Sequence, residues 1–142
     1  MHRTIFVLML AACFGVQPAG AEDSRPIPRS VAGLTNIPFT AVNSANQRIS
    51  CSVSLAHWFS ADLGRAEPGE AVEADLWFDA ASGETYLLNA REDRMPIETL
   101  WCGFAGRSWQ TRSEVHLTRE ADATPAAVAI ACRDAGERLD CR

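Results

Sequence analysis

Alternation along the chain predicts an all-β fold: an antiparallel β-sandwich, immunoglobulin-like or a small barrel, stapled by disulfides. Three observations predict it. From Phe39 onward, apolar residues recur at every second position, the period of a strand with one buried face. Clusters of Gly, Pro, Asn and Asp punctuate those runs as turns do. No window carries the i, i+3, i+4, i+7 stripe of an amphipathic helix. About seven or eight short strands with turns between them is the pattern of a sandwich or small barrel.

The first segment belongs to a different job. Met1–Thr4 carries Arg3 and no acid, Ile5–Val16 is apolar, Gln17-Pro18 breaks the run, and Ala19-Gly20-Ala21 follows. This is the layout of a secretory signal, residues 1–21, with a cut after Ala21. Leu10-Ala11-Ala12-Cys13 resembles a lipoprotein box, which would place a lipid anchor on Cys13. It is the lesser alternative, because the apolar stretch runs on through Phe14, Gly15 and Val16 where a polar tether is expected. The apolar run is shorter than the roughly 20 residues a spanning helix needs, and no later segment matches it. The expected destination is the periplasm or the exterior, with no membrane span.

Residues 22–38, with Pro26, Pro28 and Pro38, read as an extended linker. Residues 39–142 read as the β domain. Ile49, Cys51, Val53 and Leu55 alternate with Ser50, Ser52 and Ser54, a half-buried strand with a small polar outer face. Asn43–Asn46 makes the turn before it; Asp62-Leu63-Gly64 and Pro68-Gly69 make turns after it. Val72, Ala74, Leu76 and Phe78 alternate with Glu73, Asp75, Trp77 and Asp79. Ser82-Gly83 turns into Thr85–Leu88. Arg91–Pro96 reads as a charged loop. Ile97–Phe104, Trp109–Thr118 and Val128–Cys132 are further strands.

Four cysteines follow the signal: Cys51, Cys102, Cys132 and Cys141. An even count in an exported chain reads as a disulfide framework, and no CxxC pair suggests a zinc ribbon. The run CRDAGERLDC favours one pairing by geometry. A two-residue turn at Gly136-Glu137 suits type II′. It sets Ala135 against Arg138, Asp134 against Leu139, Arg133 against Asp140 and Cys132 against Cys141. The last is a non-hydrogen-bonded pair, where Cα atoms about 4.5 Å apart suit a disulfide. That leaves Cys51 with Cys102. A register centred on Ala135-Gly136 is the competing one and would set Cys141 against Ile130.

The chain carries a net charge of −5, and all 13 basic residues are arginine. A negative balance argues against general nucleic-acid binding and against adhesion to anionic lipid. Every cationic contact is a guanidinium, suited to planar and stacked partners. No GxSxG, HExxH, phosphate loop or SxxK is present. His57 and His116 lie far apart, without the short spacing of metal ligands, so no metal or cofactor is expected. Glu70, Glu73, Asp75, Glu92 and Asp93 supply acids, but Glu73 and Asp75 read as the solvated face of a strand.

The stretch LWCGFAGRSWQTR is the most unusual. Trp101, Arg107, Trp109 and Arg112 surround two glycines, the residue types of a recognition surface. Against this, Trp101 and Trp109 also suit core plugs beside a cystine. Of the four tryptophans, Trp77 is expected to be the exposed one, on the acidic face of its strand. The expected function is a non-catalytic binding or accessory module for a protein or glycan partner. The alternatives are a small hydrolase using His57 with nearby carboxylates, and an enzyme inhibitor.

Overall fold

The computed structural model describes residues 26–142 apart from His57, and these contain nine strands and no helix. The expected signal segment, both candidate cut sites, Cys13 and His57 lie outside the described residues. No helix among them is long and apolar enough to cross a membrane.

The strands are β1 (Thr35–Asn43), β2 (Ile49–Leu55), β3 (Phe59–Ala66), β4 (Ala71–Asp79), β5 (Glu84–Leu88), β6 (Arg94–Phe104), β7 (Ser113–Val115), β8 (Val128–Ala135) and β9 (Arg138–Cys141). They form one open hydrogen-bonded path, β3-β2-β6-β5-β4-β1-β8-β9, with β7 attached to β6. The all-β expectation holds. The purely antiparallel one is corrected: β1 and β8 run parallel. The irregular chain from 116 to 127 carries the backbone past the sheet and returns it in that direction, as parallel pairing requires a crossover.

Strand β6 joins the two halves of the path. Its first residues pair with β5; the stretch from Ile97 to Phe104 pairs with β2 and part of it with β7. Apolar side chains from both halves meet in a single core. Ile37, Phe39 and Ala41 of β1, Leu76 and Phe78 of β4, Ile49 and Val53 of β2, and Leu100 and Phe104 of β6 are all buried there. The period-two residues read from the sequence on β2 and β4, among them Ile49, Cys51, Val53, Leu55, Val72, Leu76 and Phe78, are buried in it, while Ile37 comes from the stretch read as a linker.

Bulges explain where parity slips. Between Ser54 and Leu55 the β2–β6 register skips Glu98, so Ile97 and Leu100, three apart, both face the core. The Arg119 guanidinium donates to the carbonyls of Ile97 and Glu98 and so satisfies the disturbed backbone. The Arg91–Pro96 loop is shorter than expected, because β6 begins at Arg94. The segment before β1 is docked. Arg29 bonds Asp93 at 2.7 Å, and Arg94 donates to the carbonyls of Pro28, Ser30 and Ala32. β1 itself begins at Thr35, ahead of the expected onset of alternation.

Both disulfides join residues directly opposite each other in neighbouring strands: Cys51 with Cys102, and Cys132 with Cys141. The C-terminal hairpin has the register deduced from its turn, pair for pair. Gly136 takes a positive φ of 72° and Glu137 does not, as a type II′ turn demands. Asp140, opposite Arg133, gives its carboxylate to Arg142 instead.

Candidate functional site

The outer face of β2 is small and hydroxylated, and the neighbouring strands build on it. Ser50 and Ser52 stand opposite Gly103 and Trp101 of β6, and opposite Arg65 and Asp62 of β3. In a regular strand, residues 62 and 65 would point to opposite faces. A bulge between Cys51 and Ser52 leaves Leu63 without a cross-strand partner and turns both outward. Asp62 and Arg65 therefore meet on this face, 3.6 Å apart. The sequence reads Asp62-Leu63-Gly64 as a turn; the bulge is why it is strand instead.

A loop from residue 105 to 112 closes over the other side of this face. A strand was expected from Trp109 to Thr118, but only Ser113–Val115 pairs. The reason is a close approach: a Cβ on Gly103 would stand 2.1 Å from the Ser108 carbonyl oxygen. Only glycine lets the loop backbone lie on β6. Thr111, 3% exposed, then locks the loop. Its hydroxyl accepts from the Phe104 amide at 2.9 Å and donates to the Arg107 carbonyl at 3.0 Å.

The loop sets Trp109 against Trp101, with ring centroids 5.1 Å apart and planes at 81°. Trp101 is thereby 7% exposed, whereas Trp109 is 52% exposed. The Trp101 indole Nε1 has no hydrogen-bond partner among the described residues. Arg112 braces the assembly from behind. Its guanidinium lies 3.9 Å from the Trp109 ring centroid and donates to the Trp109 carbonyl at 2.9 Å and to Glu114 at 3.1 Å.

The result is an open concavity of about 390 Å³. Trp101, Arg107 and Trp109 form one wall; Ser50 and Ser52 the floor; Ser60, Asp62 and Arg65 the other wall. Of the four residues singled out in LWCGFAGRSWQTR, the structure brings three to this hollow. Arg112 lies outside it, lining a separate depression with Glu114, His116 and Arg138. The serines, Asp62 and Arg65 escaped the sequence reading as site residues. The serine face itself was legible; the bulge that turns Asp62 and Arg65 onto it was not.

The other candidates disperse. His116 is exposed. Glu73 and Asp75 share the solvated face of β4, and Asp75 accepts from Asn36 at 3.1 Å. Asp93 is occupied by Arg29 and Asn89. Among the described residues, the one tight group of metal-donor atoms is the Cys102, Cys132 and Cys141 sulfurs, all within disulfides. Trp77 is half-buried, and Trp58, at the turn between β2 and β3, is the fully exposed tryptophan. No family model, curated protein or solved structure matches this chain.

Proposed function

We propose that the chain is an exported, non-catalytic binding module, periplasmic or secreted, that takes a glycan into the concavity beside Trp109. The two halves of its strand path serve as the layers of a sandwich, a reading supported by the apolar side chains that both halves send into a single core. The single observation that carries the function is the Trp109 indole. A large ring, left half-exposed by its loop and backed by a guanidinium, walls a hollow of hydroxyls. A pyranose has a C–H face that packs on an indole and hydroxyls that bond serine, carboxylate and guanidinium groups. Affinity electrophoresis through gels loaded with soluble polysaccharides tests it. The wild-type chain should be retarded by at least one; Trp109→Ala should run unretarded while melting within a few degrees of wild type. No retardation in any gel refutes the glycan reading.

A protein partner is the second reading, favoured by Trp58 and by Phe59, which is 63% exposed. Both lie at the β2–β3 end of the sheet, outside the lining of the hollow. On that reading Trp58→Ala abolishes partner capture and Trp109→Ala does not.

A further inference from the structure

We propose that the ligand of this concavity is an acidic glycan, a chain of pyranoses bearing ring carboxylates, and that Arg107 is the residue that selects the carboxylate. The inference rests on the glycan reading above and adds the charge of the sugar.

The argument is a local charge count. Three charged side chains line the hollow: Asp62, Arg65 and Arg107. Asp62 and Arg65 face each other at 3.6 Å and cancel. Arg107 makes no ion pair among the described residues. Its guanidinium instead lies over the Phe104 ring, 5.4 Å from the centroid. The neighbouring Arg112 is committed to Glu114. The hollow is thus left with one uncompensated guanidinium in a chain whose net charge is −5. Its backbone is held: the Arg107 amide donates to the Phe104 carbonyl at 3.1 Å, and the Arg107 carbonyl receives Thr111. A guanidinium held against an aromatic ring keeps its N–H edge free, the edge that bonds a carboxylate in bidentate fashion.

The remaining groups suit the rest of such a sugar. Trp109 and Arg107 line the same hollow, so one ring can stack on the indole while its carboxylate meets the guanidinium. Ser52 and Ser60 offer hydroxyls across the hollow. Ser54, next on the same face, is already bonded to Thr99 and lies outside it. A neutral sugar offers the exposed Arg107 guanidinium only hydroxyls, whereas a carboxylate offers a charge-assisted pair. A densely anionic polymer would meet the surrounding negative chain, which favours carboxylates spaced one per sugar.

Isothermal titration with two probes separates this claim from the one beneath it. The probes are an oligogalacturonate and the same oligomer fully methyl-esterified, which keeps the rings and removes the charge. The expected result is binding of the acid at least tenfold tighter than of the ester. Arg107→Gln should bring the two to within about twofold, with near-UV circular dichroism unchanged, and Trp109→Ala should weaken both. Equal binding of acid and ester by the wild-type chain overturns the carboxylate proposal and leaves the glycan site standing. Binding of neither overturns both. Undiminished discrimination in Arg107→Gln overturns the carboxylate proposal.

Discussion

At the scale of single residues, a few side chains and one missing side chain decide how the site is held. Asn43 is fully buried, and its amide serves the corner where β1, β2 and β3 meet. It donates to the carbonyls of Gln47 and Ala66 at 2.9 and 3.0 Å, and accepts from the Ala45 amide at 2.9 Å. Asn43→Ala leaves those groups unsatisfied and should cost about 2–3 kcal/mol in urea unfolding. Gly103→Ala pushes a methyl into Ser108 and should cost about 1–3 kcal/mol. Its signature is specific: the near-UV dichroism of the Trp101–Trp109 pair should change while the far-UV spectrum stays β. Asp93 gives a pH signature. Its carboxyl is held below the usual carboxylate range by the Asn89 amide and then by Arg29, which together outweigh burial. The folded state therefore takes up this proton less readily than the unfolded chain does. The stabilisation is complete at neutral pH, starts to fade near the ordinary value of about 3.9, and is gone below the lower folded value. Asp93→Asn should melt lower than wild type at neutral pH, and the gap should close as the pH falls through the lowered folded value. A gap in melting temperature that stays constant with pH would contradict that assignment. None of this was visible in the sequence, where Asp93 is one acid in a charged loop and Gly103 one glycine near another. Their roles come from chain segments far away.

At the scale of elements, legibility follows how local the cause is. The C-terminal hairpin was readable to the residue pair because a two-residue turn fixes everything outward from it. The runs that became β2 and β4 were readable because one face is buried at period two, whereas β1 begins inside the stretch read as a linker. Misreadings fall where a tertiary contact overrides the local signal. Asp62-Leu63-Gly64 is turn chemistry, yet β2 holds it as a bulged strand. Trp109–Thr118 alternates, yet Gly103 draws its first part into a loop. The parallel β1–β8 pair has no local signature at all. The cystines supply a prediction at this scale. The Cys102, Cys132 and Cys141 sulfurs lie within 4.8 Å of one another. In Cys51→Ser the freed Cys102 thiolate can attack the Cys132–Cys141 bond, linking Cys102 to one sulfur and releasing the other thiol. Peptide mapping without reduction should find bonds to Cys102 in that variant. The Cys51→Ser/Cys102→Ser double variant should keep the Cys132–Cys141 bond alone. The double variant should also lose about 2–4 kcal/mol, as removal of a long-loop cross-link does. A Cys51→Ser chain with Cys102 wholly free would show that the two cystines do not communicate.

At the scale of the whole molecule, an open mixed sheet with one core offers a shallow polar hollow where the aromatic residues of one loop meet the serine face of β2. Rigid placement is the physical theme: two cystines, a bulge and a glycine contact fix groups that would otherwise be ordered on binding, at an entropic cost. Four tryptophans in distinct settings make this testable in a single spectrum. The ¹⁵N–¹H indole resonances, assigned by Trp→Phe substitution, can be followed as oligogalacturonate is added to the disulfide-bonded chain. The account predicts that the Trp109 resonance moves progressively to saturation, that Trp101 follows through its contact with Trp109, and that Trp58 and Trp77 stay in place. Movement of Trp58 or Trp77 with Trp109 unmoved would contradict it, as would four resonances indifferent to acidic and neutral oligosaccharides alike.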